Sequence, residues 1–323
     1  MSTVSYVLNE SGPVAPERRE RIFAACKALN YTRNGAARKL RGDFAAAIGL
    51  VVPDLSNQYF ALLAEGVERA ASKRDVLVVL CAPDLEGTTD STNSRLLRSQ
   101  RLDGVLYLAG SAAPVEALRQ LTEVGPVVLV DERIPGFDVP SVVSDNRRGA
   151  CEIAKLVLAA GHTRVAVVGG PSTLWTAGER LAGYRDAMVS AGLDPDELIV
   201  AEGDYRQGSG TVLAEELLRG AAGRRPTALL CANDLMAVGA LEFCRSAGLS
   251  VPGDVSIVGF DDLPLAALLQ PRLTTVRQPA GDMGRRAANL LLDLIEGSEP
   301  VDEYFPVSVQ VRGSVAAPKK VRR

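Results

Sequence analysis

Carboxylates and amides recur just past short apolar runs in this chain. Asp54 follows IGLVVP (48–53), and Asp131 closes VVLVD (127–131). Asn233 and Asp234 close ALLCAND (228–234), and Asp261 and Asp262 close SIVGFDD (256–262). Polar groups at such positions can hold a small ligand through hydrogen bonds. The tools for transforming it are missing, because catalysis needs a nucleophile beside a base, or a metal cluster. The one histidine, His162, lies in AGHTR between a helix and a strand and reads as a turn residue rather than a base. There is no G-x-S-x-G or H-E-x-x-H motif, and GGP (169–171) is too short for a phosphate loop. No second carboxylate can be placed at a glycosidase separation from Asp261 or Asp262. No catalytic residue and no cofactor are therefore expected. The cysteines at 26, 81, 151, 231 and 244 form no C-x-x-C pair, so they predict no metal site and read as small buried hydrophobes.

The elements that must position these polar groups follow from periodicity. Besides the runs above, VLVVLC (76–81), GVLYLA (104–109) and RVAVVGG (164–170) are short and apolar. Amphipathic stretches at 59–73, 151–160, 180–191 and 235–247 lie between them. Continuous apolar strands alternating with helices predict parallel sheets covered on both faces. The series breaks near 144–149, which predicts two similar α/β lobes, each binding at the carboxyl ends of its strands. A ligand in the cleft between them is the expected consequence.

The chain has 323 residues, 47% apolar and 23% charged, enough for two domains or one domain of two lobes. It has no apolar run of 18 residues and no secretory signal, which predicts a cytoplasmic protein outside the membrane. The net charge is −3, yet Arg18, Arg19, Arg21, Lys27, Arg33, Arg38, Lys39 and Arg41 crowd one short stretch against Glu17, Glu20 and Asp43. A basic arm on an acidic body is the asymmetry of a part that meets phosphates. The first 44 residues read as a short helix at 3–9, a second at 16–31, and a short segment at 34–42 with Asn34 as N-cap and Gly42 as stop.

Eleven stretches, in order, resemble the LacI/GalR (lac repressor) family of transcriptional regulators. They are TVSYVLN, VAPERRERIFAACKALNYTRNGAARKL, IGLVVPDLSNQYFALLAEGVERAA, RLDGVLYL, VVLVDERIP, VVSDNRRGA, AGHTRVAVVGGP, ERLAGYRDAM, ANDLMAVGAL, GLSVPGDVSIVGFDD and PRLTTVRQP. The resemblance implies an α/β fold class: a two-lobed periplasmic-binding-protein type I core of two doubly wound parallel sheets. A partial all-α DNA-binding head and a hinge helix precede it. The head would span 1–44 with the hinge at 34–42, and the regulatory domain 45–323. The first lobe would take about 45–145 and 279–306, and the second about 146–278 and 307–323.

Operator DNA, a small effector (a sugar) and a second copy of the chain are the implied partners. TVSYVLN resembles the recognition helix, which would bring Thr3, Ser5 and Tyr6 to the major groove. Tyr6 stands where many members have Arg, so it either reaches a base or phosphate or merely packs. Asn34, Arg38, Lys39 and Leu40 match the hinge, with Leu40 as the wedge that opens a base step and the basic residues on phosphates. A plain basic linker is the alternative. The family's first helix and turn would precede Met1, so the head is expected to be cut short there. If Met1 is the true start, the expectation becomes a sugar sensor without DNA binding; a transport solute-binding protein is a further alternative.

For the cleft, the resemblance implies Arg180 as the clamp on vicinal hydroxyls and Asp261 as its acidic partner. It adds Asn233 and Gln278 as amides, Tyr205 as a stacking aromatic, and Tyr59 and Phe60 from the first lobe. Asp131 joins them from its strand end, and Trp175 from a loop entering the cleft. Other readings stand beside these. Asn233 could be only an N-cap, Phe60 core, Trp175 surface packing, and Asp262 reads as a turn former.

Overall fold

Alternation along single strands sets up the layers. In the computed structural model, strand β6 (Val165–Gly169) sends Ala166 and Val168 into one apolar cluster and Val165 and Val167 into another. Strand β8 (Ala228–Cys231) repeats this, Leu229 and Cys231 against Ala228 and Leu230. Both faces of the sheet must therefore be covered, as a parallel sheet requires.

The structure describes residues 14–28, 47–81, 102–110, 115–123, 125–220 and 225–319. The chain divides into two compact units, Met1–Ala46 and Ala47–Arg323. In the first unit, helix α1 (Pro16–Ala28) opens with a proline, whose missing N–H costs nothing at a helix start.

In the second unit, β1 (Ala47–Val51), β2 (Leu77–Cys81), β3 (Val105–Leu108), β4 (Val127–Val130), β5 (Ser141–Ser144) and β11 (Glu303–Phe305) form one sheet. Its order is β2-β1-β3-β4-β5-β11, with every neighbouring pair parallel. A second parallel sheet has the order β7-β6-β8-β9, with β7 at Ile199–Glu202 and β9 at Ser256–Val258. Strands β10 (Thr275–Arg277) and β12 (Ser308–Gln310) pair as an antiparallel ribbon.

The helices are α2 (Gln58–Ser72), α3 (Val115–Thr122), α4 (Asn146–Ala159), α5 (Trp175–Ser190), α6 (Gln207–Leu218), α7 (Asp234–Ser246) and α8 (Ala280–Ile295). On the second sheet, α6 and α7 cover one face while α4 and α5 cover the other. On the first, α8 returns from the far end of the chain to lie against α2. Their backbones nearly touch: a Cβ on Gly66 would sit 2.1 Å from the Gly281 carbonyl oxygen, and one on Gly284 2.1 Å from that of Leu63.

Several elements escape the apolar-run pattern. β5 is only SVVS, β7 is an exposed edge, and α8 lies beyond the last apolar strand run. Helix α4 begins at Asn146 rather than 151, where Asp145 caps it by accepting from the Arg148 N–H. Of the cysteines expected to be buried, Cys231 and Cys244 are, whereas Cys81 and Cys151 are only partly covered. Cys81 ends an edge strand with exposed neighbours, which explains its incomplete burial.

Candidate ligand-binding site

Two groups of polar side chains meet where the carboxyl ends of both sheets converge. From the first sheet, Asn57 accepts from the Tyr59 N–H at 3.0 Å and so starts α2. The Tyr59 hydroxyl then donates to Asp131 Oδ1 at 2.7 Å. Asp131 follows β4 at φ +66°, a left-handed conformation that costs free energy unless its surroundings hold it. Its neighbour Glu132 is buried and reaches the start of α5: it accepts from the Thr176 N–H at 3.0 Å and the Thr176 hydroxyl at 2.8 Å. Helix α5 has no cap of its own, because Leu174 at the N-cap offers no side-chain acceptor. A carboxylate from the other sheet does that work.

The second group centres on Arg180 in α5, which is 4% exposed. Its Nε donates to Asn146 Oδ1 at 2.7 Å, its Nη1 donates to the Ala232 carbonyl, and its Nη2 stands 4.0 Å from Asp261 Oδ1. The guanidinium lies 4.0 Å from the Phe260 ring centre and 5.8 Å from that of Tyr205. Asp261, past β9 at φ +108°, accepts from Gln278 Nε2 at 2.8 Å, and Gln278 Oε1 accepts from Ser144 at the end of β5. Gln278 thus ties the two sheets at a crossover. Tyr205, at φ +66°, lays its ring on the Gly170 backbone, where a Cβ would meet it at 2.2 Å.

Electrostatics follow from burial. Asp131 is raised to about 6, chiefly by burial and against the pull of Arg180 and the Tyr59 hydrogen bond. Burial lifts Glu132 to about 7 despite its bonds to Thr176, and Asp261 to about 7 despite Arg180. Arg180 itself is burdened by burial, yet the surrounding Tyr205, Asp261 and Asp131 hold it above its ordinary value. Asp131 and Tyr205 are only partly buried, so each keeps some accessible surface.

The structure therefore brings Tyr59, Asp131, Arg180, Tyr205, Asp261 and Gln278 together. Asn233 is fully committed: its Oδ1 caps α7 at the Met236 N–H, 2.9 Å away, and its Nδ2 holds the Tyr205 carbonyl at 2.9 Å. It shapes the site by fixing Tyr205. Phe60 is partly buried, its ring edge-on to Tyr59 at 5.7 Å. Trp175 is not a loop residue but the first residue of α5, with the Arg133 guanidinium 5.8 Å from its ring centre. Asp262, at φ +57°, pairs with Arg277 and Arg312. His162 is buried among Thr227, Ser256 and the Ala316 carbonyl. Sequence reasoning missed Glu132, Ser144, Asn146, Thr176 and Phe260. The only signal for Glu132 was a second carboxylate directly after Asp131.

Thr3, Ser5, Tyr6, Asn34, Arg38, Lys39 and Leu40 lie outside the described residues. Among the described residues, no cluster of three or more His, Cys, Asp or Glu side chains could hold a metal ion. No helix among them is long and apolar enough to cross a membrane.

Residues 1–34 match the family model described as bacterial regulatory proteins, lacI family, and residues 154–315 match a periplasmic binding protein-like domain. The chain is 32% identical over 287 residues to the HTH-type transcriptional regulator DegA of Bacillus subtilis, covering 88% of this chain and 84% of that protein. The complex of the transcriptional regulator CelR with cellobiose superposes with a TM-score of 0.77 at 33% identity, covering 97% of this chain and 95% of that one. The lac repressor dimer bound to operator and the anti-inducer ONPF gives a TM-score of 0.83 at 26% identity, covering 98% and 95%.

Proposed function

Because the chain belongs to the lacI family of bacterial regulatory proteins, we propose that it is a DNA-binding transcriptional repressor whose operator affinity is set by a sugar in the interlobe cleft. The observation that carries this reading is the facing arrangement of Tyr59–Asp131 from one sheet and Arg180–Asp261–Gln278 from the other. Hydroxyl pairs on a sugar need planar acceptors and donors on both sides, together with an aromatic face for the C–H edge, here Tyr205. Cellobiose in CelR and operator DNA on the lac repressor dimer are the matching ligands among similar proteins.

In this reading residues 1–44 contact operator DNA, with Thr3, Ser5 and Tyr6 at the major groove and Asn34, Arg38, Lys39 and Leu40 at the hinge. The regulatory domain divides into lobes of about 45–145 with 279–306, and about 146–278 with 307–323. The chain acts as a homodimer on a two-fold operator, in the cytoplasm, and binds its ligand without transforming it. Ligand and DNA then change each other's affinity by one common factor.

Two measurements test this. A thermal-shift screen of pentoses, hexoses, disaccharides and nucleosides finds a ligand that raises the melting temperature. Fluorescence anisotropy on DNA from upstream of the chain's own gene then shows affinity changing when that ligand is added. A chain that binds a sugar but no DNA fragment at low salt would sink the repressor half of the reading.

A further inference from the structure

Not every hydrogen-bonding group at the cleft is satisfied by protein. Asp131 spends one oxygen on Tyr59, and its other oxygen has no partner among the described residues. Asp261 spends Oδ1 on Gln278 and Arg180, and its Oδ2 has none among them. Arg180 Nη2 has only the 4.0 Å approach of Asp261. The open positions on these three side chains are thus two carboxylate acceptors and one guanidinium donor.

The charges are unequal as well. Asp131, Glu132, Asp261 and, beside Asp261, Asp234 are enclosed carboxylates, and Arg180 is the one cation buried among them within the described residues. Two further arginines nearby face carboxylates, although Arg133 keeps its Nε without a partner among the described residues. Arg206 faces Asp54 at 3.6 Å, and Arg133 donates to Asp302 at 2.6 Å. Neither Arg206 nor Arg133 is as enclosed as Arg180, with side chains 54% and 33% exposed.

The geometry points to an effector that is a neutral polyol or a cationic amino sugar, and to active exclusion of phosphorylated and carboxylated sugars. This rests on the sugar-effector reading above and narrows it. A hydroxyl or ammonium group donates to Asp131 and Asp261 and, as a hydroxyl, accepts from Arg180. A phosphate or carboxylate offers only acceptors, so it leaves both carboxylates unpaired and adds a like charge beside them. With an effective dielectric near that of a partly buried site, one uncompensated like charge about 5 Å away weakens binding by roughly 100-fold.

The test is isothermal titration of the full chain at roughly pH 8, where the buried carboxyls are ionised. The probes are matched sets: glucose, glucosamine, glucose 6-phosphate and glucuronate; ribose and ribose 5-phosphate; cellobiose and cellobionate. The expected result is binding by at least one neutral or amino member, with its phosphorylated or carboxylated counterpart about 100-fold weaker or undetectable. Asp131→Asn narrows that gap. An anionic member that binds as tightly as its neutral counterpart overturns the exclusion while leaving a sugar effector in place. Failure of every probe, neutral and charged, overturns the sugar reading itself and this inference with it.

Discussion

Replacing Glu132 by glutamine should stabilise the protein at alkaline pH and leave it unchanged at acid pH. Glu132 is 3% exposed, and burial raises its carboxyl from an ordinary 4.5 to about 7. An acid raised in the folded state holds its proton there after the unfolded chain has released it. Folding is therefore unpenalised below pH 4.5, loses stability as pH rises, and carries the full cost above about 7. That gap corresponds to about 3 kcal/mol. Glutamine mimics the protonated acid: its carbonyl accepts from the Thr176 N–H, and its amide donates to the Thr176 hydroxyl. In a unit of this size about 3 kcal/mol is worth roughly 5 °C. Scanning calorimetry from pH 5 to 8 should show wild type and E132Q melting together at the acid end and E132Q melting higher by about that much at the alkaline end. Glu132→Ala serves as the control: it strands the Thr176 N–H and hydroxyl, so it should fall about 1–3 kcal/mol below E132Q at every pH, and below wild type at the acid end alone. Parallel pH curves for wild type and E132Q would refute the argument, as would an E132Q as unstable as E132A at pH 8.

Other substitutions probe the site and its supports. Arg180→Ala removes the one cation beside Asp261 and frees Asn146 Oδ1 and the Ala232 carbonyl; we expect about 3–5 kcal/mol of destabilisation by denaturant titration, with the Asp261 carboxyl moving further up. Gly170→Ala places a Cβ 2.2 Å from the Tyr205 ring. It should displace that ring and weaken effector binding at least about 10-fold with circular dichroism unchanged, since such a loss needs only about 1.4 kcal/mol. Gly66→Ala drives a methyl into the Gly281 carbonyl, and chemical melts should show a loss of about 1–3 kcal/mol or more.

Much of the scaffold was legible because strands such as β1, β4, β6 and β8 are buried on both faces and so read as unbroken apolar runs. Asp131 and Asp261 were legible for the same reason: each is the first polar residue after such a run. Glu132 was not, since its meaning depends on Thr176, a partner 44 positions away in the first turn of α5. The start of α5 was lost with it. Leu174 and Trp175 carry no capping signal because the cap is supplied by that distant carboxylate. Asn146 and Ser144 sit where β5 passes into α4, and only the assembled cleft shows that one orients Arg180 and the other Gln278. The cap role of Asn233 could be read locally; its hold on the Tyr205 carbonyl could not.

The return of α8 and β11 to the first sheet sets an order on synthesis. As the chain leaves the ribosome, β1 to β5 emerge together with α2, but α8, which lies against α2, and β11, which completes the sheet beside β5, emerge only after β6 to β10. The first sheet must therefore wait, its α2 face uncovered, whereas the four strands of the second come from nearly contiguous chain and wait only for the 307–316 stretch that packs on them. Contacts of such long sequence separation form slowly, because loop closure comes before any packing gain. The α2 face of the first sheet thus stays uncovered until the C-terminal part of the chain is made, and the Gly66–Gly281 crossing closes it.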